Sequence, residues 1–131
     1  MRFLCVLVVV CSALVGCAIN PYTVERGVPG KSVEAIYKCA VGQANKLGYS
    51  LSQADKNTGF FKADKSFTPG FGSFGWGDKI RYELSLLITE QAGNNNTKLN
   101  VSANKYVNGK QENTSSDLEG DVDAIVRTCS N

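Results

Sequence analysis

The chain has no histidine, one tryptophan, one methionine and three prolines in 131 residues. Lacking histidine, it lacks the commonest general base and the commonest metal ligand. A nucleophile elbow of the form G-x-S-x-G is also absent, so its many serines have no signature of activation. Charge of one sign is scarce as well. Lys and Arg total 14 against 12 Asp and Glu, a formal net charge of +2. Nucleic-acid binders concentrate basic charge, and no such concentration exists here. What is present is 43% apolar and 20% charged residues, the composition of an ordered globular unit with room for one domain.

The apolar run over residues 3–16 is fourteen residues long, too short to cross a bilayer core as a helix, which takes roughly 20 residues. The run over residues 3–16 (FLCVLVVVCSALVG) follows the single positive charge of Arg2 and fits the apolar region of a secretory signal. It ends in Leu14-Val15-Gly16-Cys17. This box resembles the lipobox of bacterial lipoproteins. The resemblance implies a signal peptide over residues 1–16, cleavage before Cys17, and a lipid anchor on the Cys17 sulfur. Ala18, standing where Asp would retain such a protein at the inner membrane, implies sorting to the outer membrane, facing the periplasm. Two or three acyl chains hold a protein stably where one does not. The other reading is an ordinary secretory signal cut elsewhere, with Cys17 a free thiol.

Cleavage would remove Cys5 and Cys11, leaving Cys17, Cys39 and Cys129. In an oxidising compartment Cys39 and Cys129 are expected to pair. Such a bridge closes a loop of about 90 residues, which contributes about 4–5 kcal/mol in the chain-entropy account. The alternative is two buried thiols. Two cysteines without histidine do not complete a zinc shell, so neither a metal nor another cofactor is expected.

Residues 18–30 (AINPYTVERGVPG) read as a tether, broken by Pro21, Gly27, Pro29 and Gly30. With Cys17 it forms a linker over residues 17–30. Ser32 fits a helix N-cap, and Val33, Ile36, Tyr37, Ala40, Val41, Ala44 and Leu47 form an apolar stripe that Gly48 ends. Residues 49–55 and 60–67 read as two strands around the turn Lys56-Asn57-Thr58-Gly59. Ile80, Tyr82, Leu84, Leu86 and Ile88 alternate with mostly polar neighbours in a third strand, and Leu99, Val101 and Ala103 do so in a fourth. Residues 107–115 are polar and loop back. Ser116-Asp117-Leu118-Glu119 has capping-box spacing and opens a second helix, with Leu118, Val122, Ile125, Val126 and Cys129 on its stripe.

These elements predict an α+β fold over residues 31–131: helix, four-stranded antiparallel sheet, helix, in two layers with both helices on one sheet face. A Cys39–Cys129 bridge would clamp the first helix to the last. The element order resembles the helix-grip domains of the C-type lipoprotein of the outer-membrane barrel-assembly machinery.

The segment Gly70-Phe71-Gly72-Ser73-Phe74-Gly75 matches G-x-G-x-x-G in letters. A strand rather than a helix follows, so the helix N-terminus that would meet a pyrophosphate is missing, and no nucleotide is expected. The wider loop over residues 67–78 is rich in glycine and aromatics. Phe71, Phe74 and Trp76 are its candidate binding residues, since aromatics commonly anchor partners. They could instead seal the core, or touch a headgroup layer. Asp55, Asp64, Asp78, Glu83 and Glu90 are the candidate catalytic carboxylates, and nothing in the sequence pairs them.

The expectation is therefore a lipid-anchored envelope protein acting without catalysis as a binding or structural module, an accessory subunit or inhibitor-type binder with an envelope protein partner. The alternative is a small-ligand or glycan sensor. A third possibility is a hydrolase working through paired carboxylates.

Overall fold

The alternating segment at Ile80 and the one after it form the two longest strands, and the rest of the molecule is arranged around them. The structure is a computed structural model that describes residues 19–69, 77–91 and 96–131. Its elements in order are β1 (Tyr22–Pro29), α1 (Val33–Lys46), β2 (Ser50–Asp55), β3 (Phe60–Phe67), β4 (Ile80–Gln91), β5 (Asn96–Val107), β6 (Lys110–Glu112) and α2 (Ser116–Ser130). The fold is α+β with one antiparallel sheet and two helices, as the patterning predicts. The sheet differs from the expected four strands. Its order is β1-β5-β4-β3-β2, and β6 also pairs with β5.

Two corrections account for the added strands. The segment read as a tether is mostly β1, which pairs with β5 from Tyr22 opposite Ala103 to Pro29 opposite Asn96. Gly27 and Pro29 are tolerated because β1 is an edge strand, where a missing donor need not break a ladder. Tyr22, Val24 and Val28 pack on the core. The polar loop after β5 contains a tight hairpin: Asn108 and Gly109 have φ of 51° and 82°, which turns the chain into β6.

The sheet has one covered face. Phe61, Ala63, Tyr82, Leu84, Leu86, Ile88, Leu99, Val101 and Ala103 are buried at alternate positions. They join Ile36, Tyr37, Ala40 and Ala44 of α1 and Leu118, Val122, Ile125 and Val126 of α2 in a single core. Tyr37 meets Phe61 edge-on with ring centroids 5.5 Å apart. Cys39 and Cys129 are bonded, with Cα atoms 5.6 Å apart, so the bridge joins α1 to α2.

Local signals set the element ends. The Ser32 hydroxyl accepts from the Ala35 N–H and caps α1. At its other end Gly48 adopts φ 89°, the Gly48 N–H donates to the Asn45 carbonyl, and the Tyr49 N–H donates to the Ala44 carbonyl. This is the Schellman arrangement. The start of α2 departs from the capping-box expectation by one residue. Ser115 is the N-cap and its side chain makes no cap bond. Its hydroxyl is instead 2.8 Å from the Tyr82 hydroxyl, while Glu119 accepts from Thr114.

Candidate functional site

The inward side of β3 reads Phe61, Ala63, Lys65, Phe67. The helices cover the first two, and Lys65 lies where α1 ends and α2 begins. Its ammonium donates to the Leu47 carbonyl at 3.1 Å and to Asp121 Oδ2 at 2.9 Å. It thus ties the C-terminal end of α1, the negative end of that helix dipole, to a carboxylate of α2. Tyr49, buried just beyond α1, donates its hydroxyl to the same Asp121 oxygen at 2.8 Å. Burial, then the bond to Asp121, pushes the Tyr49 hydroxyl well above the usual tyrosine range. The Lys65 ammonium also lies 4.5 Å from the Tyr49 ring centroid and 5.6 Å from that of Tyr82.

Phe67, the last residue of β3, is 37% exposed and meets Tyr82 edge-on at 5.0 Å. A cleft opens on each side of it. One, of about 600 Å³, is lined by Lys65, Phe67 and Tyr82 and by Ser116, Asp117 and Asp121 of α2. It offers charges of both signs and a hydroxyl beside aromatic rings, groups that could hold a polar ligand. The other, of about 490 Å³, is lined by Ser66, Phe67, Lys79, Ile80, Arg81 and Tyr106, among others, with no carboxylate among the described residues of its wall. There the Arg81 guanidinium stacks 4.4 Å from the Tyr106 ring centroid.

Three of the five candidate carboxylates stand apart from the others. Asp55 caps the β2–β3 turn by accepting from the Asn57 and Thr58 N–H groups. Asp78 accepts from the Asn108 amide. Glu90 lies at the far end of the sheet, by Lys31 and Thr97. The structure does bring Asp64 and Glu83 together, opposite one another on the uncovered face. Like charges in that position repel. Lys62 at 4.0 Å and Arg81 at 3.3 Å offset this at Glu83. Among the described residues no group of three or more potential ligands could hold a metal ion.

Cys17 and the loop residues Phe71, Phe74 and Trp76 lie outside the described residues. The sequence marks Tyr82 only as a residue of the third strand and Asp117 only as a capping-box position, and it marks neither Lys65 nor Asp121. The available signal was a charge at an inward strand position, Lys65, and a second at Asp121 beside the apolar stripe of α2.

No family model and no curated protein matches the chain. Among solved structures it is similar to the crystal structure of a DUF4468 family protein from Bacteroides ovatus, at 13% identity and a TM-score of 0.38. The match covers 69% of this chain and 57% of that one, so this chain spans little more than half of that structure's length. A likeness of this size leaves fold and function to be argued from the chain itself.

Proposed function

We propose that this chain is a lipid-anchored bacterial envelope protein that works by surface contact, as a binding or structural module without catalysis, at the periplasmic side of the outer membrane. One observation carries the reading. Cys39 and Cys129 are bonded to each other, which leaves Cys17 as the remaining cysteine of the chain once residues 1–16 are cleaved. A disulfide agrees with an oxidising compartment, and the surviving sulfur is the one the lipobox would acylate. Among the described residues, no helix is long and apolar enough to cross a membrane. The test is metabolic labelling with a palmitate analogue. The wild type should take up label and fractionate with outer membranes, whereas Cys17→Ser should lose both. A labelled Cys17→Ser protein, or an unlabelled wild type with a cleaved leader, would overturn the reading.

The cleft at Lys65 favours a second reading, a ligand or glycan sensor. A sensor should gain thermal stability from an envelope saccharide, and Lys65→Met should abolish that gain.

A further inference from the structure

We propose that the end of the sheet where β1 begins, marked by Phe67, Lys79, Ile80, Arg81 and Tyr106, is a bilayer-contacting surface that receives the phosphate headgroups of anionic phospholipids. The inference rests on acylation of Cys17 and adds an orientation to it. β1 is held against β5 in continuous register from Tyr22 onward, so only four residues of sequence, 18–21, separate Cys17 from the sheet. Fully extended, the step from Cys17 to Tyr22 spans at most about 17–18 Å. The headgroup layer on one side of a bilayer is itself roughly 5–7 Å thick. The Tyr22 end of the sheet is therefore confined near the lipid, while the Pro29 end lies about 23 Å farther along the strand.

The antiparallel register defines what shares the tethered end. Ile80 of β4 pairs with both Phe67 and Val107, and Arg81 pairs with Tyr106. The cleft there joins Lys79 and Arg81 to exposed aromatic surface, with no carboxylate among the described residues of its lining. Two acids beside it are engaged: Glu83 accepts from Arg81 and Asp78 accepts from the Asn108 amide. Cations and amphipathic rings side by side suit an anionic membrane interface. The opposite end has different chemistry. Its cleft, about 270 Å³, is lined by Gly30, Lys31, Ser32, Glu90 and Thr97. Among the described residues Phe67 is the exposed large aromatic side chain, and it lies at the tethered end.

The test uses the full acylated protein in vesicles of phosphatidylethanolamine and phosphatidylglycerol. Single cysteines replace Ser66 or Lys110 at the tethered end, or Asn57 at the far end, and each carries a nitroxide. With Cys39 and Cys129 bonded and Cys17 acylated, the introduced thiol is the reactive one. Oxygen should collide with the labels at 66 and 110 in preference to a water-soluble nickel chelate, and the order should reverse at 57. In the double variant Lys79→Gln, Arg81→Gln, the labels at 66 and 110 should lose that protection while the protein still floats with the vesicles. Equal nickel access at all three positions in floating protein would refute the orientation and leave the anchor standing. Protection that survives the double variant would refute the role of the two cations. Protein that does not float would remove the anchor, and this surface with it.

Discussion

Leu86 and Leu87 are consecutive residues of β4, yet Leu86 is fully buried and Leu87 is 43% exposed. They stand on opposite faces of one sheet. The Leu86 face is covered by α1 and α2 and closed by the disulfide. The Leu87 face is open and carries Glu25, Lys62, Glu83, Lys98 and Asn100 in cross-strand ion pairs and hydrogen bonds. Stability is concentrated on the first face. The second is free to vary in charge and shape, because paired surface charges contribute little each.

The sharpest way to break that contrast is to open the covered face. Replacing Cys39 and Cys129 together by Ala should cost about 4–5 kcal/mol, since the bridge closes a loop with a sequence separation of 90. Urea denaturation of the purified domain measures it. Leu86→Ala should cost about 3 kcal/mol through lost burial and the cavity left behind. Gly59→Ala comes next, at about 2 kcal/mol: φ is 71° there, and an added Cβ would sit 2.4 Å from the Ile88 carbonyl oxygen. Both should appear as a lower denaturation midpoint with an unchanged slope.

Tyr49→Phe should cost about 1–2 kcal/mol at neutral pH by removing a hydrogen bond to a carboxylate. It also has a pH signature. An unfolded tyrosine loses its proton near pH 10, while burial and Asp121 make the folded Tyr49 hold its proton to higher pH. The contribution is complete below about pH 10 and declines above it. Denaturation midpoints across that range should fall less steeply for Tyr49→Phe than for wild type. The smallest effect belongs to the open face: Leu87→Ser should change stability by less than about 0.5 kcal/mol. A large loss there would show that the open face is not independent of the core.

Much of this was legible in the sequence, because periodicity reports burial directly. The alternation from Ile80 to Ile88, the stripes of both helices, the Ser32 cap and the Gly48 stop all correspond to what the chain does. So does the pairing of Cys39 with Cys129. β1 escaped because Arg26 sits at an inward position of its alternation, at the rim of the sheet, where its guanidinium donates to the Ser130 hydroxyl at 3.2 Å. Gly27 and Pro29 then read as breakers, although an edge strand accepts them. β6 escaped despite Asn108-Gly109, a strong hairpin signal, because its strand is only three residues long. The Lys65 centre was not readable at all as a centre. It assembles a strand lysine, a helix carboxylate, a loop tyrosine and a helix-end carbonyl, and only the packing of α1 against α2 brings them within reach.

The pairing of β1 with β5 also dictates an order of events. Ribosomes emit the amino terminus first, so Tyr22–Pro29 must wait without a ladder until the partner positions on β5 have been synthesised. Contacts this distant along the chain form slowly. During that interval residues 22–29 have no strand partner, and their backbone is open to proteases. Once β1 docks, the ladder with β5 covers them, and that exposure closes with folding.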